Sequence, residues 1–139
     1  MPTVPFSEPV SRSDDPRRRA NLRANVDRLL DLARHLPEPD RALIEQVYQH
    51  GIKLAEIARL IGQSPGRVQR RITRLLKLMR KPQYIFLARH QDILPPPVRE
   101  TCRELFFEGQ SLRRIAQHHG TTLHQVRKHL ATFEALARF

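Results

Sequence analysis

The stretch that decides the fold runs from Glu56 to Arg71 and reads EIARLIGQSPGRVQRR. Within it, Ala58, Gly62 and Val68 stand at i, i+4 and i+10, which is the spacing of a helix-turn-helix. A small Ala lets two helices approach, a Gly adopts the turn conformation between them, and the Val anchors the next helix in the core. We therefore predict that the helix after the turn leaves its other face exposed for a major groove.

Helix signals on both sides of this stretch predict three helices in residues 36–82. The first helix ends just before Gly51, and the second covers about residues 54–61. The third begins with Ser64 as N-cap and Pro65 at its first position, and Pro82 stops it. Its predicted inward-facing residues are Val68, Ile72, Leu75, Leu76 and Met79.

A second copy of this unit lies 58 residues further along the chain. At that offset, eleven of the 44 gapless positions 36–79 are identical, and Gly62 falls on Gly120. A gapless self-match of this kind, in which the glycines coincide, predicts two copies of one supersecondary unit. Residues 94–139 are thus predicted to form a second helix-turn-helix domain, whose third helix is capped by Thr122.

The remaining segments complete an all-α fold of two tandem three-helix helix-turn-helix units preceded by an N-terminal helix. Residues 1–15, rich in proline and small polar residues, are expected to form a disordered tail. Residues 16–35 are predicted to be helical, and either cap the first unit, form a dimer or partner contact, or hold the DNA backbone through Arg17, Arg18 and Arg19. Residues 83–93 link the units as a packed helical bridge. The apolar stripe predicted for the N-terminal helix is Leu22, Val26, Leu29, Leu30, Ala33 and Leu36.

The charge of the chain is concentrated on one helix. The 25 Lys+Arg and 14 Asp+Glu residues give a formal net charge of +11, of which +6 falls on residues 36–82. Ser64–Lys81 holds seven basic side chains and no acidic one. Such an excess favours a polyanionic partner, with nucleic acid the first candidate and an anionic membrane surface the second. Uncharged apolar stretches are far shorter than the about 18 residues of a membrane span, so we expect no spanning segment. Of the two candidates we expect nucleic acid, and not a membrane, to be the partner.

Residues 36–82 resemble region 4 of the sigma-70 family, most closely that of the extracytoplasmic-function group. The resemblance is carried by the stretch quoted above and, upstream, by Leu36, Pro37 and Arg41. The family uses this domain to read a promoter element in the major groove and to dock on RNA polymerase. The resemblance therefore implies double-stranded DNA and RNA polymerase as partners. The second copy matches less well, with Arg114 in place of the Glu of the first.

The residues that we predict to bind DNA lie at the start and on the outer face of each third helix. An arginine there can bind guanine through two hydrogen bonds, and a glutamine can read adenine. The second unit has fewer cations and is expected to be the weaker reader. The predicted residues of the first unit are Ser64, Pro65, Gly66, Arg67, Gln69, Arg70, Arg71, Arg74 and Lys77, and those of the second are Thr122, His124, Gln125, Arg127 and Lys128.

Catalytic and metal chemistry find little support in the sequence. No general base stands beside a nucleophile, and no glycine-rich phosphate loop occurs, so we expect no enzyme activity and no cofactor. Cys102, the single cysteine, excludes an intramolecular disulfide and is predicted to be a buried apolar residue. His118, His119, His124 and His129 lack an acidic or cysteine partner at ligand spacing in the sequence, so we interpret them as surface histidines and predict no metal site.

These patterns together predict a sequence-specific double-stranded DNA-binding protein, a transcription regulator of a bacterium or phage that acts in the cytosol at the nucleoid. Two alternatives stay open. The chain is either the DNA-binding subunit of a recombinase or transposase system, or an adaptor that docks on RNA polymerase or on a sigma partner. Whether two copies of the chain form a homodimer also stays open.

Overall fold

The computed structural model describes residues 15–138, and this part of the chain contains helices and no strand. The all-α prediction is therefore confirmed. The predicted disordered tail, apart from Asp15, lies outside the described residues. A 3₁₀ turn, Gln91–Ile93, follows α5, and a π-helical segment, Arg103–Phe107, continues α6. The helices are α1 (Pro16–Ala33), α2 (Asp40–Tyr48), α3 (Leu54–Ile61), α4 (Pro65–Met79), α5 (Pro82–His90), α6 (Pro96–Cys102), α7 (Leu112–His118) and α8 (Leu123–Ala137).

Capping side chains set the start of several helices. The Asp15 carboxylate accepts the Arg17 backbone N–H at 3.0 Å, and Pro16 occupies the first position of α1. Ser64 caps α4 in the same way. Each cap satisfies one of the backbone donors that the first turn of a helix leaves free. The predicted starts of these two helices are therefore confirmed, and α1 ends at Ala33, two residues before the predicted boundary.

One hydrophobic core extends through the part of the chain that connects the two predicted units. Ala33 of α1, Ile72 of α4, Tyr84 and Leu87 of α5, and Phe133 of α8 are buried in the same cluster. Helix α5 is thus packed inside the structure, because both of its buried side chains have no exposed surface. Burial of side chains of this size stabilises a fold by about 1.5–3 kcal/mol each. The expectation of a packed helical bridge between the units is met by this helix.

A smaller cluster lies within the second predicted unit alone. Ile115 and Ala116 of α7 pack against Val126 of α8, with Leu105 and Leu112 half-buried beside them. The cluster joins the two helices on either side of the second turn. Local packing therefore fixes the angle between α7 and α8, while Phe133 fixes α8 to the larger core.

The C-terminal end of α1 is fastened to α5. The Tyr84 hydroxyl donates a hydrogen bond of 2.6 Å to the Leu32 carbonyl, and burial raises the pKa of Tyr84 above its ordinary value. Towards its N-terminus α1 is more exposed, and Leu22 is on the surface. The predicted apolar stripe therefore caps the first unit only near its C-terminal end, and its Leu22 does not reach the core.

His35, just after α1, stacks on the second predicted unit. Its ring lies on Phe107 with centroids 4.8 Å apart. Burial, followed by the positive charges of Arg103 and Arg34, lowers the pKa of His35, with Asp31 acting in the opposite direction. The neutral imidazole is therefore the form that the fold favours. Across the described residues, no helix is both long and apolar enough to cross a membrane.

Candidate nucleic-acid interface

The turn between α3 and α4 is closed by backbone hydrogen bonds around a left-handed glycine. Gly62 has a φ of +71°, a conformation that L side chains rarely adopt. The Gln63 N–H donates to the Ala58 carbonyl at 2.9 Å, and the Gly62 N–H donates to the Arg59 carbonyl at 3.4 Å. This pair of bonds is a Schellman motif, which ends α3 and redirects the chain into α4.

The apolar side of this turn packs against the core. Ile57 and Ala58 of α3 and Val68 of α4 are all buried. The small Ala58 allows α4 to approach α3, and Val68 fills the space between them. The roles predicted from the i, i+4, i+10 spacing are therefore confirmed for the helix-turn-helix of the first unit.

The opposite side of α4 is a basic surface, which we call the α4 face. Ser64 Oγ accepts the Arg67 backbone N–H at 3.3 Å, and free backbone donors of a helix N-terminus attract phosphate. Gln69 donates to Thr73 at 3.3 Å along the same helix. An open cleft of about 560 Å³ is lined by Gln63 and four arginines, with no acidic residue among them. The exposed residues of the α4 face are Ser64, Pro65, Gly66, Arg67, Gln69, Arg70, Arg74 and Lys77.

Arg71, also predicted to bind DNA, differs from the rest of the α4 face. Its Nη2 and Nε lie 2.6 and 3.0 Å from the same carboxylate oxygen of Asp40, at the start of α2. The two side chains are only 22% and 25% exposed, respectively. The guanidinium is thus partly buried and already paired within the protein. Sequence reasoning missed this pairing, because the two residues are far apart in the chain.

The second turn repeats the geometry of the first at the 58-residue offset. Gly120 has a φ of +63°, and the Thr121 N–H donates to the Ala116 carbonyl at 2.9 Å. Thr122 Oγ1 accepts the Gln125 N–H at 3.1 Å and so caps α8. The path of the chain from α7 into α8 therefore matches the path from α3 into α4.

The outer side of α8 is less basic than the α4 face. Arg127 and Lys128 are exposed and occupy the positions of Gln69 and Arg70, but the positions of three other cations hold uncharged residues. These uncharged replacements are Gln125, for Arg67, Thr132, for Arg74, and Ala135, for Lys77.

Gln125 is half-buried, and its side chain points to a neighbour within the protein. Its Nε2 lies 3.1 Å from His129 Nε2, and His129 Nδ1 lies 3.2 Å from the hydroxyl of the buried Thr101. At the 58-residue offset, His129 corresponds to Arg71. Each third helix is thus tied to the first helix of its unit from the same position. Thr122 and His124, in contrast, are exposed at the start of α8.

His118, His119 and His124 are exposed as predicted, but two of these histidines have an acidic partner that the sequence did not reveal. His118 Nδ1 lies 2.7 Å from Glu104 Oε1, and His119 Nε2 contacts the other oxygen of the same carboxylate. Glu104 lies on the π-helical segment, more than a dozen residues before the histidines, so no local spacing could have revealed it. Cys102 is fully buried as predicted, and burial raises the pKa of its thiol to about 12.

Comparison with known proteins gives one match. The family model described as Sigma-70, region 4 matches residues 27–79, from within α1 to the end of α4. No curated protein and no solved structure matches the chain. The match supports a sigma-70 region 4-like helix-turn-helix in this segment and, with it, DNA binding in a transcription-related role. It begins before the predicted boundary at residue 36, so the end of α1 belongs with the first unit.

Proposed function

We propose that this chain is a sequence-specific, double-stranded DNA-binding transcription regulator that inserts α4 into a major groove. The observation that supports this proposal is the α4 face itself. It is exposed, basic and free of acid, and it follows a turn with the hydrogen bonds of a helix-turn-helix. An α-helix presented in this way fits the width of the major groove of B-DNA.

Different residues of the α4 face have different roles in this proposal. Arg67 and Arg70, near the start of the helix, read guanine through paired hydrogen bonds, and Gln69 reads adenine. Arg74 and Lys77, further along, neutralise phosphates. Ser64, Pro65 and Gly66 bring the helix N-terminus close to the backbone of the duplex.

Arg71 lines the same cleft as the other arginines but is paired within the protein. Because its guanidinium is held by Asp40, we assign it the role of orienting α4 against α2. This assignment modifies the expectation from the sequence that Arg71 contacts DNA itself. The same role falls to His129 in the second unit, through its bond to Thr101.

The second unit is proposed to be a tandem copy of the first that assists it. Arg127 and Lys128 are exposed on α8 and supply phosphate or base contacts, with Thr122 and His124 at the start of the helix. Gln125 contributes less to DNA binding because its amide is bonded to His129. Because α8 carries less positive charge, the two units contribute unequally to DNA binding, and α4 is the main reading helix.

The experiment begins with selection of bound duplexes from a random library, followed by fluorescence anisotropy on the selected site. Arg70→Ala should weaken binding by about 1–3 kcal/mol, or about 5- to 150-fold, and relax the preference at one base pair. Lys77→Ala should weaken all duplexes similarly and reduce the salt slope by about 0.9. Arg89→Ala, an exposed arginine on α5, is the matched control. Sedimentation of the complex distinguishes one bound chain from two.

The proposal fails if selection yields no preferred sequence, or if Arg70→Ala and Arg89→Ala bind the selected duplex equally well. Equal affinities would mean that total charge, and not the α4 face, governs binding. Circular dichroism of each variant confirms that the helices are intact.

Contact with RNA polymerase is a second candidate function. Leu60 and Ile61, adjacent on α3, are 71% and 45% exposed, although both are large and apolar. Exposed apolar neighbours are typical of protein contacts, and the family match makes RNA polymerase the partner to test. Leu60→Ser with Ile61→Ser should abolish capture by the polymerase and leave DNA affinity unchanged. Capture that is unaffected by both changes would contradict this function.

A further inference from the structure

Three side chains from two elements of the second unit converge on one point. Glu104 comes from the π-helical segment, and His118 and His119 come from the end of α7. One carboxylate oxygen and one nitrogen of each imidazole all lie within 4.8 Å of one another. We call these three residues the Glu-His-His cluster.

The cluster has an unusual carboxylate at its centre. Glu104 is only 8% exposed, although glutamate is rarely buried without a partner. A buried carboxylate must be compensated by a cation or by hydrogen bonds. Both of its oxygens point to imidazole nitrogens, which are either hydrogen-bond donors or ligands for a metal ion.

The cluster is a feature of the second unit that the first unit lacks. At the 58-residue offset, the first unit has Gln46, Leu60 and Ile61 in these three places. None of these side chains is a usual metal ligand, yet the turn beside them has the same geometry as the second turn. A requirement of the helix-turn-helix itself therefore does not explain the cluster.

The backbone under Glu104 is also different from an ordinary helix. The Glu108 N–H donates to the Arg103 carbonyl at 3.2 Å, five residues back, which makes this turn wider than an α-helical turn. The first unit has the corresponding bond, from the His50 N–H to the Glu45 carbonyl at 3.1 Å, so the wide turn is a shared feature of the end of each first helix. The side chains placed on it, and not the turn itself, distinguish the second unit.

We propose that the Glu-His-His cluster binds one divalent zinc ion. Two imidazole nitrogens and one carboxylate oxygen are a common ligand set for zinc, with bonds of about 2.0–2.2 Å. Tetrahedral ligand atoms lie about 3.4 Å apart, so His118 Nδ1 and Glu104 Oε1, at 2.7 Å, must separate to admit the ion. The His118 side chain, 70% exposed, has the freedom to make this adjustment.

The surroundings supply the rest of a coordination shell. The cluster lines an open cleft of about 430 Å³ that also contains Glu100 and Glu108, either of which, or a water molecule, can be the fourth ligand. Arg103 lines the cleft too, but its Nη1 donates to Gln91 Oε1 at 2.5 Å. The acidic side chains of the cleft favour a cation there.

A zinc ion in this position would join α7 to the π-helical segment that continues α6. This connection lies at the C-terminal end of α7, next to the turn at Gly120. The ion would therefore have a structural role, holding the first helix of the second turn in place. Its effect on DNA binding would be indirect, because the ligands do not lie on the outer side of α8.

Zinc binding is tested on the full chain after treatment with a chelator. Isothermal titration with Zn²⁺ should give one site per chain, and Co²⁺ in its place should give the visible absorption bands of a tetrahedral ion. Zn²⁺ should also raise the melting temperature. His118→Ala and Glu104→Gln should each weaken binding at least about tenfold. His50→Ala, an exposed histidine of the first unit, is the matched control and should bind as the unchanged chain does.

Two results would overturn the proposal. One is the absence of a zinc site in the unchanged chain, which would leave the cluster as a hydrogen-bonded carboxylate with two histidines. The other is a His118→Ala variant that binds zinc with unchanged affinity. Because His118 is mostly exposed, its variant is expected to keep the circular dichroism spectrum of the unchanged chain, even if Glu104→Gln fails to fold.

Discussion

The pairing of Asp40 with Arg71 leads to a prediction that separates the two roles considered for this arginine. If Arg71 orients α4, then removing Asp40 should damage DNA binding as much as removing Arg71. If Arg71 binds DNA directly, then Asp40→Ala should leave affinity unchanged or increase it, because it frees a cation. The two substitutions and their combination form a double-mutant cycle that distinguishes these outcomes.

The magnitude follows from the geometry of the pair. Two guanidinium nitrogens, at 2.6 and 3.0 Å, share one carboxylate oxygen, and both side chains are about three-quarters shielded from water. Hydrogen bonds to charged groups contribute about 1.5–3 kcal/mol, whereas exposed ion pairs contribute about 0.2–1 kcal/mol. Because this pair lies between these cases, we expect a coupling energy of about 1–2 kcal/mol, or about 5- to 30-fold in the unfolding equilibrium.

The assay has a stability readout and a binding readout. Urea unfolding, followed by circular dichroism at low and high salt, gives the coupling energy of Asp40 with Arg71. Anisotropy on the selected duplex gives the loss of affinity for each variant. Asp27→Ala is the matched control, since it removes an exposed acid of α1 and changes the net charge by the same amount. Arg71→Ala and Asp40→Ala should weaken DNA binding by similar factors, and the double variant should be little worse than either.

Two results would refute this reasoning. A coupling energy near zero would show that the pair does not tie α2 to α4. An Arg71→Ala variant that loses DNA binding while Asp40→Ala and Asp27→Ala do not would show that Arg71 contacts DNA, as the sequence alone suggested.

Three further predictions concern the core and its titratable groups. Tyr84→Phe should lower the free energy of unfolding by about 0.5–1.5 kcal/mol, because the Leu32 carbonyl loses one donor and keeps the His35 N–H; an unchanged urea midpoint would contradict the bond. Since burial and two nearby guanidinium groups hold the pKa of His35 below 6.5, the unfolded chain takes up the proton first as the pH falls. The free energy of unfolding should therefore decrease as the pH falls below 6.5, and His35→Gln should flatten this dependence; equal slopes for both chains would refute it. The Cys102 thiol, with a pKa raised to about 12, should react with a disulfide reagent only after addition of denaturant, and rapid labelling of the native chain would contradict its burial.

The local features of the fold were accessible from the sequence because they depend on neighbouring residues. The i, i+4, i+10 spacing identified the turn at Gly62, and Ser64 and Pro65 identified the start of α4. The exposure of Leu22 could not be foreseen, because an apolar stripe shows which face is apolar but not how far along the helix a partner extends. Packing between distant elements decides that extent.

In the candidate site, too, features set by neighbouring residues could be predicted and contacts between distant elements could not. Exposed cations of the α4 face follow from helical periodicity, whereas the partners of Arg71 and of the two adjacent histidines lie in other helices. Asp40 and Glu104 each sit at least a dozen positions from the residues that they contact. Only the folded chain brings such pairs together, so the sequence predicted which surface is basic and not which cations are already engaged.

The continuous core described above has a consequence for the proposed binding of DNA. Because α5 is packed into that core and Phe133 anchors α8 in it, α4 and α8 are held at a fixed distance and orientation. An insertion of about five base pairs turns a half-site to the far side of the duplex, which has about 10.5 base pairs per turn. Two helices held in this way cannot follow that rotation. Binding to half-sites with a different spacing would therefore require a repacked protein interior.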